Sequence, residues 1–232
     1  MELQARYPER IAAARMAIIN HDRIKAELLD FYCANHWGFD VVAVELTGQE
    51  GLTSVARVKP DFILLSLGLQ DADAVDLIRQ LRQAAPSAKI VAQVVRCNDY
   101  LLHRLAGAEY HGLILDEEET LVSLGQAIER VRSGLRAVSP RITQDQLALR
   151  NASASFPKLL SRREEQVLVC IAHALSDDEI GRQLGFSSTT ALSHRKKIMG
   201  KLGIHSTPKL IRYCADRGFN SVPPPLASSR PN

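Results

Sequence analysis

The sequence has no apolar run approaching the roughly 20 residues that a bilayer-spanning helix needs, so no membrane segment is expected. It opens on MELQARYPERIAAARM, without a basic head followed by a long apolar region, so no secretory signal is expected either. Cysteine is sparse. Cys33, Cys97, Cys170 and Cys214 stand singly, with no C-x-x-C pair, which argues against a disulfide framework or a zinc site and for a reducing cytoplasm. Neither a metal nor a cofactor is expected. There is no internal repeat, and the stretch LLSLG around Ser66 lacks the first glycine of a G-x-S-x-G nucleophile elbow, because position 64 is leucine.

What is present is an ordinary globular composition, 46% hydrophobic and 24% charged over 232 residues. That length is comfortable for two domains of roughly 100–200 residues each. The net charge of +3 hides an asymmetry. From Phe156 onward there are 12 Lys+Arg against 6 Asp+Glu, a balance of +6, so the remainder carries 17 against 20, a balance of −3. A basic C-terminal half joined to a mildly acidic one points to a polyanion as the partner of the former.

Through the first 135 residues, β-branched apolar runs alternate with helix-like segments. RMAIIN, DVVAVEL, DFILLSL, KIVAQVV and HGLIL read as strands. Between the third and fourth, Val75, Ile78, Leu81 and Arg82 recur at helical spacing, with Asp76, Arg79 and Gln80 facing away. Strict alternation implies a five-stranded parallel sheet with right-handed crossovers and helices on both faces. Residues 136–157, rich in Ser, Pro, Asn and Ala, read as a linker in which QDQLALR can form a short helix. The tail at 219–232 is rich in Pro and Ser and is expected to be disordered.

Four helical stretches fill 158–218. Ser161 with Glu164, and Ser176 with Glu179, have the spacing of capping boxes. Gly185 and Gly218 suit helix ends, and Pro208 suits a first turn. Residues 176–202 carry the strongest signal. Ile180 and Leu184 supply an inward face, Phe186 fills a turn, and Ala191, Ile198 and Leu202 supply the core face of the next helix. Its other face presents Ser188, Thr189, Thr190, Ser193, Lys196 and Lys197. Hydroxyls and amides at a helix start suit phosphate, and lysines further along suit phosphate or base edges, as in a recognition helix. The plainer alternative is a helical packing unit with a solvated basic face.

The stretch LLSRREEQVLVCIAHALSDDEIGRQLGFSSTTALSHRKKIMGKLGIHST resembles a LuxR-type helix-turn-helix of the NarL/FixJ response regulators. The matching positions include Leu160, Arg163, Glu164, Val167, Leu168, Glu179, Ile180, Leu184, Gly185, Thr190, His194, Ile198, Lys201, Leu202 and Gly203. The resemblance implies a dimeric transcription factor bound to double-stranded DNA, with bases read at Leu192, Ser193 and Lys196; Arg195 and Lys201 complete the expected DNA-binding set. Leu192 replaces a lysine common there and Ala191 a valine. An apolar group at 192 suits a thymine methyl rather than guanine.

With that family in view, residues 14–135 resemble a receiver domain. Such domains accept a phosphoryl group on an aspartate ending the third strand, beside Mg²⁺ held by acidic residues after the first. Here Ser66 holds the acceptor position. Asn20 and His21 stand where the acidic pair belongs, with Asp22 following, Val94 takes a hydroxyl position and Asp116 a lysine position. The resemblance therefore implies a vestigial site and an input other than aspartyl phosphorylation, such as a protein or small-molecule effector. Two rival readings remain at this level: an interaction scaffold that does not bind DNA, and a hydrolase built on Ser66, His21 and Asp22.

Overall fold

The computed structural model describes residues 13–152 and 155–225, so the first twelve residues, including most of the opening segment read for a signal, lie outside the described residues. The chain divides into two units. One runs up to Val95 and resumes over Glu109–Val138, and the other comprises Arg96–Ala108 and the chain from Ser139 onward.

The first unit is a parallel sheet. Its strands are β1 (Ala14–Ile19), β2 (Phe39–Glu45), β3 (Phe62–Ser66), β4 (Lys89–Val94), β5 (Gly112–Leu115) and β6 (Ala137–Val138), in the order β2-β1-β3-β4-β5-β6. The sheet has six strands rather than five, because Gly112 and Leu113 pair with Ala137 and Val138 inside the segment expected to be linker. Two residues carry no period that a sequence reading can detect. Helices α1 (Arg23–Asn35), α2 (Gly48–Val58), α3 (Ala74–Ala84) and α5 (Leu121–Arg132) complete this unit. Leu29 and Cys33 of α1 and Leu124, Ile128 and Val131 of α5 cluster with Ile18, Leu64, Val91 and Ile114 on one sheet face. On α3 the buried stripe is Ala74, Leu77, Ile78 and Leu81, so Leu77 replaces Val75 and Arg82 in the expected face.

His111, just before β5, gives this unit a pH response. Its Nδ1 accepts a hydrogen bond from the Ile90 amide at 3.0 Å, so the ring is held neutral there. Burial lowers its pKa from 6.5, and Arg82, Lys89 and Arg136 lower it further against the opposing pull of Glu109. Below pH 6.5 the unfolded chain takes up a proton that the folded ring resists, so the stabilisation present above that pH is lost on acidification. Urea midpoints read through Trp37, the single tryptophan, should fall more between pH 7.5 and 5.5 in the wild type than in His111→Gln. Equal pH dependence in the two would contradict this assignment.

The second unit contains α4 (Asp99–Leu105), α6 (Pro140–Asn151), α7 (Phe156–Leu159), α8 (Arg162–Ala172), α9 (Asp177–Leu184), α10 (Ser188–Leu202) and α11 (Thr207–Arg217). The segment 136–157 is thus largely structured: Pro140 starts α6, and Phe156 is almost fully buried. The expected tail is also partly ordered. Phe219 and Val222 are buried, while 226–232 lie outside the described residues. Tyr100 of α4 stacks on Phe219 at 4.2 Å between ring centroids, Phe156 meets Phe219 edge-on at 5.0 Å, and Asp99 pairs with Arg217. These aromatics share a cluster with Val167, Leu168, Ile180, Ala191, Ile198 and Leu210. Cys170 and Cys214 are buried thiols, pushed up by desolvation to about 11 and about 12. Among the described residues, no helix is long and apolar enough to cross a membrane.

Candidate nucleic-acid interface

Both expected capping boxes form. Ser161 and Ser176 accept from the Glu164 and Glu179 amides, and each glutamate returns a bond to its serine's amide at 2.7 Å. Gly185 closes α9 at φ 75°, a left-handed conformation that glycine adopts without strain. Gly181 lets the two helices approach: a Cβ there would lie 2.6 Å from the Phe186 carbonyl oxygen. Ser187 caps α10, accepting from the Thr190 amide at 3.1 Å, and its hydroxyl lies 2.9 Å from that of Thr190. Neither Gly181 nor Ser187 stood out in the sequence, although a serine preceding a helical run is a cap signal.

On α10, Ala191 and Ile198 are fully buried, and Leu202 is partly so. Ser188, Thr189, Thr190, Leu192, Ser193, Lys196 and Lys197 are exposed. Leu192, 39% exposed, places an apolar group among these hydroxyls and ammonium groups. Among the described residues neither Lys196 nor Lys197 has an ion-pair partner.

Two positions expected on this face are committed elsewhere. Arg195 falls on the core stripe with Ala191, Ile198 and Leu202, and its guanidinium, 12% exposed, pairs with Asp177 of α9 at 2.8 Å. Lys201 bonds Glu164 of α8 at 2.8 Å. Burial pushes the Glu164 carboxyl up, but hydrogen bonds from Lys201 and Ser161 outweigh it and hold it below its usual range. Both cations pin α10 to its neighbours. His194 rests its ring on Phe186 at 5.5 Å, a packing position.

At the sheet's C-terminal edge, Asn20, Ser66 and Gln93 are all buried. Ser66 pairs with Gln93 in the β3–β4 register. Gln93, and not Val94, is therefore the β4 neighbour of Ser66, since successive strand residues point to opposite faces. Ser66 Oγ accepts from the Gly68 amide at 3.3 Å and lies 3.2 Å from His21 Nδ1. Asp22 does not orient His21; its carboxylate caps α1 by accepting from the Lys25 amide. The hydrolase constellation thus lacks its third member. Asp116 accepts from Lys25 Nζ at 2.5 Å and from Gln93 Nε2 at 3.2 Å.

The Mg²⁺ that receivers use does not fit these residues. A hard cation needs several oxygen ligands, whereas Asn20 leaves a buried amide N–H without an acceptor among the described residues and Lys25 neutralises Asp116. Among the described residues no cluster of three His, Cys, Asp or Glu is suited to a metal.

A parallel strand–helix domain followed by a capped helix-turn-helix with an exposed basic helix defines a DNA-binding regulator of the response-regulator type. Residues 158–214 match the family described as "Bacterial regulatory proteins, luxR family". Over 215 residues the chain is 31% identical to the transcriptional regulatory protein MctR of Rhizobium johnstonii, covering 89% of this chain and 94% of that protein. It is 29% identical to the response regulator GacA of Pseudomonas viridiflava, covering 88% and 96%. The fold matches a structure of two RcsB dimers bound to two parallel DNAs, with TM-score 0.59, 18% identity, and coverage of 88% of this chain and 98% of that one. The chain belongs to the luxR family of bacterial transcriptional regulators, with receiver-plus-helix-turn-helix architecture.

Proposed function

We propose that this regulator acts in the cytoplasm as a homodimer on two related DNA half-sites, is not an enzyme, and is switched without aspartyl phosphorylation. The observation that carries the DNA reading is the exposed face of α10, where Lys196 and Lys197 stand with no carboxylate partner among the described residues. Leu192, Ser193 and Lys196 meet base edges, while Ser188, Thr189 and Lys197 meet phosphate. Thr190, tied to the cap at Ser187, positions the helix start. A two-fold protein suits a two-fold operator, and RcsB, of like fold, was solved as dimers on DNA.

Phosphorylation independence is supported at the strand ends. A serine stands at the acceptor position, His21 lies against it, and Lys25 is paired to Asp116. A serine phosphate lacks the reactive acyl linkage of an aspartyl phosphate. Acetyl phosphate with Mg²⁺ should leave the intact mass unchanged and the DNA affinity within about twofold, a difference well under 1 kcal/mol. Stoichiometric phosphoryl addition at Ser66 together with altered affinity would overturn the reading.

A further inference from the structure

The second unit contains a cavity of about 410 Å³ between α4, α6 and the start of α7. Its apolar wall comes from Leu102, Ala106, Leu147, Leu149 and Pro157. Leu147 is 52% exposed, a large side chain that the fold itself leaves uncovered. The volume lies in the range of small-molecule sites, which combine apolar walls with a few directed polar groups.

Those polar groups are present, and they are donors. Arg150 and Lys158 line the cavity, and among the described residues neither has an acidic partner. Gln146, on the same wall, has its side-chain Nε2 buried with no acceptor among the described residues. A buried N–H without an acceptor is uncommon and marks a missing partner. His103, the remaining basic group of the lining, lies 3.3 Å from Glu165 and is accounted for. Two cations and an amide N–H beside an aliphatic wall match a ligand with an anionic, acceptor-only head and an apolar chain.

We propose that this cavity binds an amphipathic carboxylate, a medium-chain acyl anion, with the head on Arg150, Lys158 and Gln146 and the chain along Leu102, Leu147 and Leu149. The same α4 contributes Tyr100 to the core of the DNA-binding unit, so a ligand between α4 and α6 acts on an element on which that core depends. Only this regulatory consequence rests on the phosphorylation-independent reading; the binding itself does not.

The test is calorimetric titration of the full-length protein with decanoate below its micelle concentration, without DNA or phosphodonor. Decanol and decyltrimethylammonium serve as controls. Decanoate should bind saturably at one site, and both controls about tenfold more weakly or not at all. Ala106→Trp should abolish binding by filling the cavity. The double reversal Arg150→Glu with Lys158→Glu changes exposed positions only and should weaken binding about tenfold with unchanged circular dichroism. No saturable binding, equal affinity for all three heads, or undiminished binding in the charge-reversed protein would overturn the proposal. Since no phosphodonor is present, these outcomes leave the acetyl phosphate experiment independent.

Discussion

Lys196→Ala should weaken binding to a selected operator by about 1–3 kcal/mol and relax preference at one base pair. Lys196 is exposed, on the face of α10 away from the buried Ala191 and Ile198, and among the described residues no carboxylate pairs with it. Lys197, one position on, turns toward the flank of that face. Lys197→Ala should weaken operator and scrambled duplexes alike and reduce the slope of log affinity against log salt by about one. Titrations over a salt series on both duplexes separate the two behaviours. Equal weakening of both duplexes by Lys196→Ala would remove that residue from the base-reading set.

Tyr100→Ala should destabilise the DNA-binding unit by about 3–5 kcal/mol, the usual range for truncating a large buried aromatic. The tyrosine is 5% exposed and stacks on Phe219, which in turn packs on Phe156. Truncation leaves both phenylalanines facing a cavity and removes the α4 side chain that stacks on Phe219, leaving His103 edge-on to Phe156. Hydrogen exchange of amides in α8 and α11 should accelerate, while the unfolding transition reported by Trp37 in the first unit stays in place. The reverse pattern would show that α4 serves the sheet alone. By the same argument, a fragment starting at Ser139 lacks Tyr100 and should be less stable than one that retains the α4 segment.

The local features were legible because each depends on residues a few positions apart. Capping at Ser161 and Ser176, the left-handed end at Gly185 and the buried pair Ile180 and Leu184 follow from spacing alone. The misplaced features are those set by distant partners. Arg195 looked like one more surface cation of a basic helix; its place on the core stripe matters only because Asp177 waits there. Gln93 and Val94 are neighbours in sequence, and only the ladder to Ser66 decides which shares its face. Phe219 lies at the edge of a Pro- and Ser-rich tail, yet Tyr100, more than a hundred residues earlier, buries it. Composition describes a segment's average, and one aromatic with a partner overrides it.

Base reading by α10, in a dimer on two half-sites, is open to direct test. The most direct measurement is selection of bound duplexes from a random pool by the full-length protein, repeated with Lys196→Ala. Enrichment of two related half-sites is expected, with preference lost at one base pair of each half-site in the variant. Failure to enrich any motif, or recovery of an unaltered motif by the variant, would contradict it.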